Sequence, residues 1–194
     1  EDRSFLDTLK SELLSDDNLP VDIRRLAQVV FKYDPNSILH GLFLAKKDLA
    51  GGRYRLMRLL AGFIEATGVR EAESGGVKND RVDPRGDTRR GFGNVPFHRT
   101  EFVAERITAY FDLDLGTLRA YGLGEDAETL LIALALWKVQ RFLASGLRLR
   151  TACSFDVIDF RVTRPAGLEI PSLGQLSTAL PELIASNRQA FADP

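Results

Sequence analysis

The chain is poor in the side chains that build most enzyme sites. It has one cysteine, Cys153, and two histidines, His40 and His98, among 194 residues. A single cysteine excludes an intrachain disulfide, and one cysteine with two distant histidines does not supply a common zinc site. No apolar run has the length needed to cross a bilayer; the longest, Leu130 to Leu136, ends at Trp137-Lys138-Val139-Gln140-Arg141. No secretory signal opens the sequence. Large net charge is missing too: the formal value is -1, so no global field draws the protein to nucleic acid or to a membrane. The expected compartment is the cytoplasm. Glu1-Asp2-Arg3 starts without Met and runs almost at once into a helical pattern, so the natural protein is expected to begin earlier. Neither an internal repeat nor a low-complexity tract is present.

What is there reads as an ordinary globular composition, 44% hydrophobic and 27% charged, at a length suited to one domain with an excursion from it. Ser4 is the expected N-cap of a first helix carrying Phe5, Leu6, Leu9, Leu13 and Leu14, broken by Asp16-Asp17-Asn18. Pro20 opens a second with Ile23, Leu26, Ala27 and Val30 on one stripe, and Asp34-Pro35-Asn36-Ser37 is a turn. Ile38 to Ala45 and Phe63 to Ala72 suit strands. Val103 to Leu113 reads as one long strand, with Asp112 and Asp114 alternating to the other face. Residues 125 to 145 form the strongest helix, apolar nearly all round and so covered on several sides, closed by Gly146. Leu147 to Val157 follow with period two, and the parity flips at Ile158, which implies a bulge or a change of partner. Ser172 to Phe191 reads as helix interrupted at Pro181. Irregular alternation of strands and helices favours an α+β fold with helices on one face of the sheet.

Cations concentrate in the irregular segments. Lys46, Lys47, Arg53 and Arg55 occupy a glycine-hinged loop against Asp48. Residues 74 to 99 are the least regular part of the chain. They carry Lys78, Arg81, Arg85, Arg89, Arg90 and Arg99, with glycines between and Phe92 and Phe97 flanking. A stretch of this length without pattern is functional or disordered. Its ends, Gly75-Gly76-Val77-Lys78 and Asn94-Val95-Pro96-Phe97, are placed to pair as a hairpin with a mobile tip. Glycine permits close backbone approach to phosphate, arginine clamps it, and aromatics stack on unpaired bases. A solvated loop diluted by Asp80, Asp83 and Asp87 has the same composition, and both readings stay open on residues alone. Arg148 and Arg150 pose the same question on a strand.

Catalytic readings find little to stand on. His40 lies in the apolar segment Ile38-Leu39-His40-Gly41-Leu42-Phe43 and reads as a satisfied core or edge residue. His98, beside Arg99, suits phosphate binding and a structural role equally. Asp80 and Asp83 read as turn residues before they read as ligands for a divalent ion. Gly75-Gly76 before Lys78 lacks the spacing of a phosphate loop.

Five segments resemble a known family. These are Asp34-Pro-Asn-Ser-Ile-Leu-His-Gly41, Ser74-Gly-Gly-Val-Lys-Asn-Asp-Arg-Val-Asp-Pro84, Gly91-Phe-Gly-Asn-Val-Pro-Phe-His-Arg-Thr-Glu101, Ile107-Thr-Ala-Tyr-Phe-Asp-Leu-Asp-Leu115 and Gly146-Leu-Arg-Leu-Arg-Thr-Ala-Cys153. They are similar to the CRISPR-associated backbone proteins of subtype I-G (formerly I-U), members of the RAMP superfamily that form the Cascade backbone of that subtype. The resemblance runs from about Phe5 to about Pro181, and family proteins extend further at the N-terminus. It implies a modified RRM-like (ferredoxin-like) palm in a single domain, with residues 74–99 as a thumb-like hairpin that folds over the guide RNA.

On that resemblance the chain is expected to bind crRNA without catalysis, metal or cofactor. Its other partners would be copies of itself along the guide, other Cascade subunits and, indirectly, target DNA. The residues expected at the RNA are Lys46, Lys47, Arg53, Arg55, Gly75, Gly76, Lys78, Asn79, Arg81, Arg89, Arg90, Phe97, His98, Arg99, Arg148 and Arg150. A guide varies in sequence, so its holder must grip phosphates and sugars and ignore base edges. Stacked copies multiply a modest affinity through effective concentration, so a strong net positive charge is not required. Two other expectations compete. One is a RAMP endoribonuclease using Asp80, Asp83 or His98. The other is a protein-interaction module whose basic loops are merely solvated.

Overall fold

The computed structural model describes residues 3–13, 20–79, 85–90, 94–150 and 153–192. Among them the chain is α+β, with four two-stranded sheets. It divides into two compact units, Glu1–Ala61 with Phe111–Pro194, and Gly62–Tyr110.

In the first unit, helices α1 (Arg3–Leu13), α2 (Ile23–Tyr33) and α3 (Pro35–His40) lead into strands β1 (Leu42–Leu44) and β2 (Tyr54–Leu56). Local chemistry sets each boundary. Asp22 caps α2 by accepting from the amides of Arg24 and Arg25 at 2.9 and 3.0 Å. Asp34 ends α2, and its carboxylate accepts from Asn36 N at 3.0 Å while Pro35 occupies the first turn of α3. Asp114 caps α4 (Leu115–Ala120) through Thr117 N at 2.8 Å. Ser172 and Gln175 form a reciprocal capping box on α6 (Leu173–Ser186).

The core gathers Leu26 of α2, Ile38 and Leu39 of α3, Leu49, Leu59, Leu118 of α4 and Leu131 of α5 (Glu125–Ala144), all almost fully buried. From Leu130 to Gln140 no residue of α5 is exposed, as its all-round apolar sequence predicts. It packs along α6, where Trp137 Nε1 donates to Ser177 Oγ at 2.9 Å. The buried Asn187 side chain donates to Asp126 O at 3.2 Å and Leu183 O at 2.9 Å.

The second unit holds most of β3 (Leu60–Thr67), all of β4 (Arg70–Asn79) and β5 (Asn94–Val103), and the start of β6 (Arg106–Leu113). β4 and β5 run antiparallel in unbroken register from Arg70 opposite Val103 to Asn79 opposite Asn94. The expected pairing of the Gly75–Lys78 and Asn94–Phe97 segments is therefore present, one residue out of step, with Gly75 opposite His98 and Lys78 opposite Val95, within a longer ribbon than the pattern marked out. β3 pairs with β6.

Several expected elements are divided differently. Ile38 to Ala45 is not one strand: the Asp34-Pro35 cap carries Ile38 and Leu39 into α3, and Gly41, at φ +83, turns the chain into β1. Phe63 to Ala72 is cut by Gly68, at φ +63, into β3 and β4. Val103 to Leu113 breaks at Ala104-Glu105 between β5 and β6, where Glu105 N donates to Thr67 O at 3.1 Å. The period-two run from Leu147 folds on itself as β7 (Leu147–Arg150) and β8 (Cys153–Phe155), with an irregularity between Arg148 and Arg150. Periodicity shows which face a residue takes but not where a strand turns back. Pro181 does not interrupt α6; Leu176 and Leu180, in the turns just before it, are buried, and their packing outweighs the backbone bond that proline removes.

Candidate nucleic-acid interface

The β1–β2 pair shows how a short hairpin divides its residues. Tyr54 and Leu56 are buried and Leu42 and Leu44 half-buried, which sends Phe43 and Arg55 to the opposite face. They are cross-strand partners in the ladder. The Arg55 guanidinium carbon lies 4.8 Å from the Phe43 ring centroid, and Phe43 is 55% exposed. A cation on an accessible aromatic face is one element of single-strand recognition.

Beside this pair lies a shallow cleft of about 380 Å³ bordered by His40, Gly41, Phe43, Arg55 and Arg58. Continuing the β1–β2 register by two places brings His40 opposite Arg58. The backbones come close there: a Cβ on Gly41 would stand 3.1 Å from Arg58 N and 3.2 Å from Leu56 O. Lys138 of α5 approaches from another side, its Nζ 2.8 Å from His40 Nε2. An ammonium only donates, so the neutral ring accepts at Nε2 and keeps its proton on Nδ1. Partial burial, then the Lys138 and Arg58 charges, hold the His40 imidazole below its ordinary value, with Asp34 opposing. Burial likewise lowers the Lys138 ammonium. His40 is thus an exposed helix-end residue among cations, not a core histidine. Sequence reasoning missed this role of His40, together with Arg58 and Lys138. The available signal was the basic spacing Arg53, Arg55, Arg58 after a His-Gly pair.

The rest of the first basic loop is less free than its composition implies. Arg53 Nε donates to Ala50 O at 2.8 Å, folding the side chain onto its own loop. Lys46 and Lys47 are exposed, and their carbonyls accept from Leu49 N and Gly51 N, each at 3.0 Å. Asp48 stands 3.8 Å from Lys10.

In the hairpin of the second unit, Gly75 lies opposite His98 and Gly76 opposite Phe97. A Cβ on Gly76 would meet the Phe97 ring at 3.3 Å. The missing side chain at Gly76 thus makes room for the Phe97 ring across the ribbon. His98 Nε2 is 3.7 Å from Glu73, Arg99 pairs with Glu101, and Arg90 Nε is 3.8 Å from Asp87. All are exposed pairs of the kind that contributes little and gives way to a stronger anion. Arg89 is exposed, and its amide donates to Asp87 at 3.0 Å. Lys78 and Asn79 close β4 opposite Val95 and Asn94. Arg81, Asp80, Asp83 and Phe92 lie outside the described residues.

Arg148 and Arg150 lie on β7, in a different sheet from Arg55, with Ser154 and Cys153 as register partners. Arg148 is exposed, flanked by the buried Leu147 and the half-exposed Leu149. Among the described residues, no three His, Cys, Asp or Glu side chains are grouped to hold a metal ion, and no helix is long and apolar enough to cross a membrane.

Residues 1–71 match the family model described as CRISPR-associated protein GSU0053 (Cas_GSU0053). The match supports a CRISPR-associated protein and a role in CRISPR defence. It takes in His40, Phe43, Arg55 and Arg58 and stops at the first residues of β4. No curated protein matches the chain.

Proposed function

We propose that the protein is a crRNA-binding backbone subunit of a type I Cascade complex, of subtype I-G, that grips the guide without cutting it. The observation that carries this reading is the exposed Phe43–Arg55 pair beside Arg58, inside the stretch that matches a CRISPR-associated family. An aromatic face with guanidinium groups around it holds unpaired bases and phosphates and reads no base edge, which is what a variable guide demands.

In this reading the first unit is the RRM-like palm of a RAMP-type domain. The β4–β5 hairpin is its thumb, carrying Lys78, Arg81, Arg89, Arg90, His98 and Arg99 along the RNA. Arg148 and Arg150 add cations on a palm strand. Copies of the subunit stack along one guide in the cytoplasm, beside other Cascade subunits, and meet target DNA through the guide. Chemistry is left to other proteins, and neither metal nor cofactor takes part.

The test is the affinity of the full chain for two single-stranded RNAs of unrelated sequence, at low and moderate salt, with and without Mg²⁺. Similar, steeply salt-dependent affinities and intact RNA are expected. Neutralising Lys78, Arg81, Arg89 and Arg90 together should flatten the salt slope by roughly 0.7 for each phosphate that the protein no longer neutralises. Cuts at fixed spacing point instead to a RAMP endoribonuclease, and absence of salt-dependent binding to a protein-interaction module. Either result overturns the proposal.

A further inference from the structure

Positive or potentially positive groups converge on the cleft at the end of β1–β2, and none of the residues bordering it is a carboxylate. His40 and Arg58 border the cleft together at the open end of the hairpin, away from the loop that joins β1 to β2, Arg55 is held on the Phe43 ring, and Lys138 reaches His40 from α5. Among the described residues, neither Arg55 nor Arg58 has a carboxylate within ion-pair distance. Ordinary surfaces intersperse charges of both signs, and a one-sided cluster raises the local concentration of anions. The charged groups acting on the imidazole are Lys138 from α5, Arg58 beyond β2 and Asp34 at the N-cap of α3, and Arg55 borders the same cleft. Asp34 is already engaged, since its carboxylate accepts from Ser37 Oγ at 2.6 Å and Asn36 N at 3.0 Å.

We infer that this cleft is a phosphodiester site for single-stranded RNA, in which Arg55 and Arg58 hold the phosphate, Phe43 takes the adjoining base, and His40 gains a proton as the anion binds. The site deepens the RNA-binding reading above and rests on it for the identity of the ligand. Its geometry also explains the short Lys138–His40 contact. Without an anion the ring stays neutral and accepts from the ammonium. With a phosphate beside it the cationic ring is favoured, Nε2 becomes a donor, and Lys138 must swing away. Binding therefore takes up a proton, and affinity rises as pH falls from the anion-bound value of the ring toward its lowered free value. Below that free value the gain ends.

Only two histidines are present, so the ring Cε1–H signals in an NMR titration are assigned by one variant, His98→Gln. Dimethyl phosphate is the first probe, because its single charge does not change between about pH 5 and 8, and equal chloride is the control. The expected result on the full chain is an upward move in the titration midpoint of His40, absent in Arg58→Gln and preserved in His98→Gln. A single-stranded oligoribonucleotide should move the same signal and bind about fivefold more weakly to Arg58→Gln. The pH dependence of its affinity should flatten in His40→Asn.

Failures separate cleanly. RNA that binds with a steep salt slope but leaves His40 unmoved overturns this site and leaves the guide-holding reading intact. Dimethyl phosphate that moves His40 while RNA does not bind keeps an anion site and removes the nucleic acid. A His40 signal indifferent to both probes in the unmodified chain overturns the inference without reference to how any variant folds.

Discussion

Glu12 of α1 is hydrogen-bonded twice by α2: its Oε1 accepts from Lys32 Nζ at 2.7 Å and from the Tyr33 hydroxyl at 2.9 Å. Arg25 Nε also donates to the Glu12 carbonyl at 2.6 Å, so one residue fastens the end of α1 to the next helix. The Lys32 hydrogen bond, foremost among several causes, holds the Glu12 carboxyl below its ordinary 4.5. A carboxylate with a depressed folded value stabilises above its unfolded value and loses that contribution as pH falls through the folded one. Glu12→Gln is thus expected to lower the thermal midpoint at pH 6 to 7, and the gap to the native chain should close below about pH 4.5. Melting curves from pH 3 to 7 check this, and an equal gap at both ends would sink the account.

Gly41 sits at φ +83 with the Arg58 and Leu56 backbones against the place where a Cβ would stand. Alanine meets both obstacles at once, an unfavourable backbone region and a wall that is main chain and does not yield. Gly41→Ala is expected to cost about 1–3 kcal/mol in urea unfolding. It should also disturb the cleft beside it. An unchanged midpoint would mean that the β1–β2 end relaxes more easily than its contacts imply.

Phe43 is the reverse case, a large apolar side chain held in solvent. Its loss should change stability by no more than about 0.5 kcal/mol, because surface substitutions outside the core fall in that range. Stacking of one base on an aromatic ring contributes roughly 1–3 kcal/mol, so Phe43→Ala should weaken single-stranded RNA binding by about fivefold or more. Phe43→Trp should restore it. Fluorescence anisotropy and a melting curve on each variant separate the effects, and full affinity in the alanine variant would detach Phe43 from the interface.

The elements that follow from local chemistry were legible in the sequence. Glu125-Asp126 at one end and Gly146 at the other delimit α5, and its uniform apolarity foretold burial on several sides. The α+β class and the pairing of the Gly75–Lys78 segment with the Asn94–Phe97 segment followed in the same way, with the exact register left to the structure. Strand ends were read less well. Gly68 and the Ala104-Glu105 break interrupt runs whose alternation continues across them, because period two is blind to reversal of direction. Of the two readings of His40, the core one came from apolar neighbours that α3 turns inward, leaving the histidine at the exposed helix end with Lys138 as its partner.

Of the expected RNA-facing residues, Arg55 gains most from the structure, since the ladder sets it on Phe43 and the cleft adds Arg58. Arg90 carries Asp87, which composition counted only as dilution, while the acidic neighbours of His98 and Arg99, Glu73 and Glu101, come from the strands of the ribbon. Caps, helical stripes and the concentration of cations in irregular segments depend on residues a few positions apart, so the chain carries them in its order of residues. Which cations share a site depends instead on how distant segments pack. Lys138 and His40 are 98 residues apart in the chain, and only the packing of α5 beside α3 brings their nitrogens to 2.8 Å.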